Sequence, residues 1–410
     1  MKQVLGGVRV LDFTQVMAGP FCSMLLGDLG ADVVKVEPPG GDTTRRMGTR
    51  QGMESTGFWA VNLNKRGIVL NLKDPRGQKI VRALVGRTDI LVENYRPGVL
   101  DGFGLGYQDL RELNPRLIYA SISGFGATGP YARKGGFDLV AQGMSGIMSI
   151  TGEPGMPPVK CGIPVTDLGA GLFALQAILA AYIHRIQTGE GQYIDTSLFE
   201  AGIALSIWES TQYFSTGEIP QPMGSAHRMS APYEAIRCAD GYITLGAANQ
   251  RTWERFAHAI GLPELINRPE YADDRCRVQN HQQLAREIEV VTATQPRAYW
   301  LRLLEEVGVP GGPILNYAEV FTDPQVQARA MVQEMDHPVG GRIRVLGPAA
   351  KLSETPARLT RPAPLYGEHS VEILNEVGYT DTVIQQLAEA GVVILGASNH
   401  TERPKQEEHV

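Results

Sequence analysis

At 410 residues, with 43% hydrophobic and 20% charged side chains, the chain is long enough for two domains or one large elaborated domain and has the balance of an ordinary globular protein, which excludes disordered and fibrous classes. A formal net charge of −6 gives no general attraction to nucleic acid, so any anionic ligand must be met by local basic groups.

Val8–Phe13 is apolar and β-branched and reads as a strand, entered without a signal-type apolar block, so export is not expected. The small-residue turn Ala18-Gly19-Pro20 leads into a helical pattern through Leu29. Ala31–Glu37 is a second strand, closed by Pro38-Pro39-Gly40-Gly41. Further strands are expected at Ile68–Leu72, Ile90–Glu93 and Leu117–Ser123, and a helix over Arg76–Val85 after Asp74-Pro75. This alternation implies an α/β fold with a parallel sheet covered by helices, in which ligands sit at the carboxyl ends of the strands. No G-x-G-x-x-G follows the first strand, which argues against a nicotinamide or flavin site.

A strand-like Cys161–Val165 precedes a long helix over Leu168–Arg185, and Asp195–Ser215 reads as another helix. The longest apolar stretch, Leu172–Ile183, is shorter than the roughly 20 residues of a bilayer crossing, so it reads as a buried helix and no membrane partner is expected. Thr216–Pro232 is linker-like. Beyond it, Tyr233–Leu245 suggests two strands across Ala239-Asp240-Gly241, and Thr252–Ile260, Gln283–Ala293, Arg297–Val307 and Asp323–Val332 suggest helices. The tail after Ala397 is polar. Four scattered cysteines with no C-x-x-C pair argue against zinc and disulfide frameworks and suit a reducing cytoplasm.

Several residues could carry chemistry. Asp167, just before the long helix, is by itself a favoured N-cap; the same position, beside free N–H groups and the positive end of the helix dipole, suits a carboxylate kept ionised as a nucleophile. Thr14 and Gln15 end the first strand, and the small residues after them allow close backbone approach to a ligand, although a tight strand-to-helix turn explains them equally. Asn94-Tyr95-Arg96 offers an amide, a ring and a guanidinium at the same sheet edge, where an adenine could stack and a phosphate could pair. Gly246-Ala247-Ala248-Asn249 is a small-residue loop of the kind from which lids are built.

Together these segments resemble the family III CoA-transferases, which are related to α-methylacyl-CoA racemase. The resemblance is carried by GVRVLDFTQVMAGPFCSMLLGDLGADVVKVEPPGGD at 7–42, NLNKRGIVLNLK at 62–73, VENYRPGVLDGFGLGY at 92–107 and SISGFGATGPY at 121–131. It continues in GGFDLVAQGMSGIMSITGEP at 135–154, TDLGAGLFALQAILAAY at 166–182, TGEGQYIDTSL at 188–198 and GEHSVEIL at 367–374. The family implies an interlocked, ring-like homodimer. The large domain is Rossmann-like and CoA-binding at 1–200, completed by 326–396, with a linker at 201–224, a smaller α+β domain at 225–325 and a polar tail at 397–410. It also implies Asp167 as nucleophile, and CoA lying along Gln15, Val16, Met17 and Ala18, with Leu72, Lys73, Asn94, Tyr95 and Arg96 near the nucleotide. Relatives often carry a basic residue after the VKVE strand, where this chain has Pro38 and Pro39, so Lys73, Arg96, Arg45 and Arg46 become the candidates for the phosphates.

The chemistry the resemblance implies is attack of Asp167 on an acyl-CoA thioester to give a mixed anhydride, then an aspartyl-CoA thioester, reversed by an acceptor carboxylate with no metal and no tightly bound cofactor. Coenzyme A enters and leaves as substrate and product. A lid would keep water from the anhydride, and the 246–249 loop is the candidate. Asp138 joins it as a further substrate or lid residue. Short dicarboxylates are expected as acids, with succinyl-CoA as a donor, because Arg228 could bind a second carboxylate bidentately, a structural ion pair being the alternative. Two rivals remain. A racemase needs two acid/base groups, and Phe137 stands where racemases place a histidine. A non-catalytic CoA-binding protein would not need an intact Asp167.

Overall fold

The computed structural model describes residues 3–51 and 54–396; the expected tail at 397–410 lies outside the described residues. Among them two compact units are distinguished. Met148–Lys160 and Gln212–Val326 form one, and the remaining described residues form the other.

The larger unit is built on β1 (Arg9–Asp12), β2 (Asp32–Glu37), β3 (Lys65–Leu70), β4 (Ile90–Glu93), β5 (Ile118–Ser123) and β6 (Tyr193–Ser197), with a short last strand, Val393–Ile394. Their order is Val393–Ile394, β3, β2, β1, β4, β5, β6, and only the Val393–Ile394 pairing is antiparallel. In register, Leu11 of β1 faces Val34 on one side and Leu91 on the other. The central strands are buried throughout because helices cover both faces, which is why their sequences are apolar runs and not alternations.

On one face Leu11, Val36, Leu70 and Leu91 pack with α2 (Pro75–Val85) and the helices Ser370–Glu376 and Asp381–Glu389. On the other, Val10, Val33, Val92 and Ala120 pack with α1 (Ala18–Asp28) and a long helix, Val165–Thr188. The Tyr193–Ser197 strand and the Val332–His337/Gly341–Leu346 hairpin replace parts of the helices expected at Asp195–Ser215 and Asp323–Val332. The hairpin buries Ile343 against Phe58 and Trp59, a tertiary contact that no local periodicity announces.

The return segment is stitched to the sheet by Asn64. Its Oδ1 accepts the Thr360 and Arg361 N–H groups, and its Nδ2 donates to Asp28 Oδ1 at 2.7 Å and Arg358 O at 2.8 Å. Beside it the Arg66 guanidinium pairs with Asp32, Glu372 and Glu376.

Helices of the larger unit that bear on the site are α3 (Asp138–Met144), α4 (Val165–Thr188) and α5 (Leu198–Leu205); α6 (Ile207–Thr216) begins in the larger unit and ends in the smaller one. Residues 201–224, expected as linker, are thus helical through Thr216 apart from a break at Ser206. At 24 residues, α4 is long and apolar enough to cross a bilayer by length and composition, more than the Leu172–Ile183 run suggests. Its Ala170, Ala174, Ile178 and Ala181 nevertheless form a buried stripe against the sheet.

The smaller unit has an antiparallel sheet of β7 (Tyr233–Cys238), β8 (Gly241–Gly246) and β9 (Gly311–Pro313), with β8 in the middle. Ile236, Ile243 and Leu245 pack with Trp253 and Phe256 of α7 (Gln250–Ala259), with Ile288 of α8 (His281–Thr292) and with Trp300 of α9 (Arg297–Glu306).

Candidate active site

The turn from β1 into α1 is fixed by side chains reaching it from three other strands. Asp12 is wholly buried; its carboxylate accepts the Thr14 N–H at 2.9 Å and the Ser23 hydroxyl at 2.7 Å and pairs with Lys65 Nζ at 2.9 Å. The ammonium of Lys35 donates to Thr14 O at 2.8 Å and pairs with Asp42 at 2.9 Å, again with no exposed surface. Burial works against each of these charges. For Asp12, Lys65 and Lys35 outweigh it and hold the carboxyl below its usual range; for Lys35, Asp42 and Asp12 outweigh it and hold the ammonium above. Burial wins at Lys65, which falls to about 8.

Asn94, the first residue after β4, exchanges two bonds with the Gln15 backbone: Oδ1 accepts its N–H at 2.8 Å and Nδ2 donates to its carbonyl at 2.7 Å. Gln15 Nε2 donates to the Tyr95 hydroxyl at 3.2 Å, and the Val16 N–H points at Asp42 Oδ1 at 3.4 Å. Val16 has φ +69°, a left-handed conformation that costs a β-branched residue on the order of 1–3 kcal/mol and persists only where the surroundings impose it. Met17 is the N-cap of α1, and its side chain makes no capping hydrogen bond. Only glycine fits at 19, since a Cβ there would meet the Thr14 side chain at 2.3 Å.

Asp167 lies in the first turn of α4, at its third residue, and is not the N-cap as expected; the helix begins at Val165, and Cys161–Val165 is not a strand. Pro164 presets the start of the helix but offers no capping side chain, so the cap arrives from α3. Asp138 Oδ1 accepts the Thr166 N–H at 3.0 Å and its hydroxyl at 2.8 Å, and Oδ2 accepts Gln142 Nε2 at 2.7 Å. Gln142 in turn accepts the Cys161 N–H at 2.8 Å. Asp138, expected at substrate or lid, is therefore engaged in holding the start of α4.

Asp167 itself, half-buried, makes no side-chain hydrogen bond or ion pair among the described residues. Burial, and then the neighbouring Asp138 charge, push its carboxyl up to about 7, so the helix terminus does not hold it in the ordinary carboxylate range as expected. Gly171, one turn further, has no room for a side chain: a Cβ would lie 2.7 Å from Ala18 O. Residues four apart share a helix face, so the face that bears Asp167 meets the start of α1.

At the nucleotide end of the expected site, Leu72 and Tyr95 pack against the core, while Lys73 and Arg96 are exposed beyond the ends of β3 and β4. The Arg96 guanidinium lies beside Gly135, where a Cβ would be 2.9 Å from it. Arg45 is not free for phosphate, because it pairs with Glu37 at 2.7 Å and stacks over the Phe58 ring at 3.6 Å. Arg46, which donates to Gly40 O at 3.1 Å, Lys73 and Arg96 have no carboxylate partner among the described residues.

In the smaller unit, the expected lid loop is tied down: Gly246 N–H donates to Pro310 O, Ala247 N–H to Pro232 O, and Ala248 O accepts the Ser230 hydroxyl. Asn249 caps α7 in a capping box with Thr252. Arg228 donates to Gln221 O at 2.9 Å, has no ion pair among the described residues, and leaves a buried Nε without a partner.

Residues 5–370 match the family described as CoA-transferase family III. The chain belongs to that family. It is similar to human succinyl-CoA:glutarate CoA-transferase, 43% identical over 392 residues that span 95% of this chain and 90% of that one. With succinyl-CoA:mesaconate CoA-transferase of Haloarcula hispanica it shares 41% over 384 residues, 91% of this chain and 96% of the relative. Its fold is similar to the crystal structure of a CAIB/BAIF family protein from Brucella suis, with a TM-score of 0.82, 37% identity, and coverage of 92% of this chain and 100% of that one. The chain is accordingly an enzyme that transfers CoA between acyl-CoA thioesters and carboxylic acids.

The residues that sequence reasoning missed are Asp12, Lys35, Asp42, Lys65, Thr166 and Gln142. One signal was present: Lys35 and Glu37 interrupt an otherwise apolar buried strand, and a buried charge requires a partner.

Proposed function

We propose that this enzyme moves CoA from succinyl-CoA to a short dicarboxylate, with Asp167 as nucleophile. The observation that carries the reading is the Asp167 carboxylate: half-dehydrated, without a hydrogen-bond or ion-pair partner among the described residues, and on the helix face that meets the start of α1. A carboxylate stripped of solvent and of hydrogen bonds is a stronger nucleophile than one in water. It attacks the thioester carbonyl and expels CoA thiolate, leaving a mixed anhydride. The thiolate attacks the aspartyl carbonyl and releases the donor acid, leaving an aspartyl-CoA thioester. The acceptor carboxylate then displaces thiolate, which attacks the acceptor's carbonyl and frees Asp167. Carboxylates and thiolate exchange places throughout, so no net proton is taken up and the energy of the thioester is retained.

The acids named for the two relatives, glutarate and mesaconate, are both dicarboxylates and support that choice. Arg228, a cation without an ion-pair partner among the described residues, is the group proposed for the distal carboxylate. Arg46, Lys73 and Arg96 are proposed for the phosphates of CoA, and Met17 and Ala18 for the thioester end. Phe137, 71% exposed, has no proton to exchange, which disfavours the racemase alternative. Exposed apolar side chains on α4 and α6, among them Ile186, Trp208 and Phe214, support a homodimer that covers them. Four free cysteines are in keeping with a reducing cytoplasm.

The test is incubation of the protein with succinyl-CoA and a panel of free acids, wild type beside Asp167→Ala, with CoA esters followed by mass spectrometry. Dicarboxylate CoA esters that appear with the wild type and vanish with Asp167→Ala are expected. Esters formed equally by Asp167→Ala refute the nucleophile, and α-deuterium exchange without CoA transfer would return the racemase reading.

A further inference from the structure

We propose that Asn94 is a positioning residue for acyl-CoA binding, acting by locking the left-handed turn at Val16 and not by touching the ligand. This rests on the reading above that the turn Gln15–Ala18 receives the CoA ester.

The carboxamide of Asn94 meets the Gln15 backbone as one rung of an antiparallel ladder meets another, with N–H to Oδ1 at 2.8 Å and Nδ2 to the carbonyl at 2.7 Å. Both of its functional groups are therefore engaged by the backbone of the turn. Its own backbone is rigid, since it follows directly on β4, which lies between β1 and β5 in the sheet. From the other side Lys35 holds Thr14 O and Asp42 faces the Val16 N–H, so the residue in the costly conformation is bracketed by tied neighbours. A single left-handed residue turns the chain sharply, and here that turn leads through Met17 to Ala18, whose carbonyl lies against Gly171, one helical turn from Asp167. Without Asn94 the Gln15 peptide is free to rotate and Val16 relaxes toward negative φ, which carries Met17 and Ala18 off their positions.

The experiment is a double-mutant cycle of Asn94→Ala and Val16→Gly, read as KM and kcat for succinyl-CoA and as calorimetric affinity for CoA itself. Glycine adopts φ +69° without strain, so it should relieve the need for the lock. Asn94→Ala is expected to raise KM by about tenfold or more while kcat at saturation changes by less than about threefold, the pattern of lost binding geometry. In the Val16→Gly background the same substitution is expected to raise KM by no more than about a third of that factor, a non-additivity that marks coupled residues. The penalty should also persist with succinyl-pantetheine, which lacks the nucleotide. Equal penalties in the two backgrounds overturn the proposal, as does a penalty that disappears with succinyl-pantetheine, because that places Asn94 on the nucleotide. A melting temperature that falls in proportion to the loss of affinity reduces Asn94 to a stabilising residue and likewise overturns it. Failure of the wild type to bind CoA is a different result and overturns the functional reading itself.

Discussion

The carboxyl of Asp167 titrates near neutrality, and that makes the pH dependence of catalysis the most direct test of the site. With its carboxyl at about 7, raised first by burial and second by Asp138, the ionised fraction of the free enzyme is about a tenth at pH 6 and about nine-tenths at pH 8. kcat/KM reports the free enzyme, so it should fall roughly tenfold between those values and continue tenfold per unit below. An ordinary carboxylate, ionised above about pH 4, would give a flat profile over the same range. Asp138→Asn removes the neighbouring charge while leaving the burial, so the inflection should move to lower pH without vanishing. Initial rates of dicarboxylate CoA ester formation at limiting succinyl-CoA, measured from pH 5 to 9 at constant ionic strength, provide the assay. A flat profile in the wild type, or an inflection that Asp138→Asn leaves in place, would refute the assignment of both carboxylates.

Three further outcomes are expected. Because the folded pKa of Asp167 lies above its ordinary value of 3.8, its ionised form opposes folding at high pH. Asp167→Asn should therefore stabilise the protein at pH 8, on the order of 2 kcal/mol after allowance for its access to solvent, with the gain fading as pH falls from about 7 to 4; urea unfolding at pH 8 and pH 4 measures it. Lys65→Met leaves the buried Asp12 carboxylate without its partner and should cost about 3–5 kcal/mol in the same assay, most of it recovered when Asp12→Asn is added. Arg45→Met should lower thermal stability with little change in KM for succinyl-CoA, whereas Arg96→Met should raise that KM, since only Arg45 is already committed to a carboxylate.

The sheet was legible because parallel strands covered on both faces are rich in apolar residues, and β1, β2, β4 and β5 each carry an apolar, largely β-branched run that only a few charged or polar residues interrupt. The edge was less so. Tyr193–Ser197 mixes exposed and buried residues and runs straight into α5, so its pattern matched a helix beginning at Asp195. The hairpin at Val332–Leu346 has a partly exposed, charged face, and its apolar residues find a core in Phe58 and Trp59, far away in sequence, together with Ala363. Asp167 was legible as a carboxylate at a helix start, but its depth in the first turn depended on Asp138, which caps α4 from another helix.

The same limit explains why the supports of the Gln15–Ala18 turn escaped a reading of the chain. Asp12, Lys35, Asp42 and Lys65 are an unremarkable scatter of charges along 54 residues of sequence, and become two buried pairs only because β3, β2 and β1 lie side by side. Burying such pairs is weak as a source of stability, since desolvation offsets most of the attraction. Their placement is better explained by what they hold: Lys35 and Asp12 fix the carbonyl and N–H of Thr14, and Asp42 faces the N–H of Val16. A strained turn at the carboxyl end of the first strand and an unpartnered carboxylate at the start of α4 are both unfavourable in isolation. Each is maintained by hydrogen bonds from elsewhere in the fold, Asn94 and the buried charges for the turn and Asp138 with Gln142 for the helix, which is how a fold fixed by its core can present reactive groups in a single arrangement before any ligand arrives.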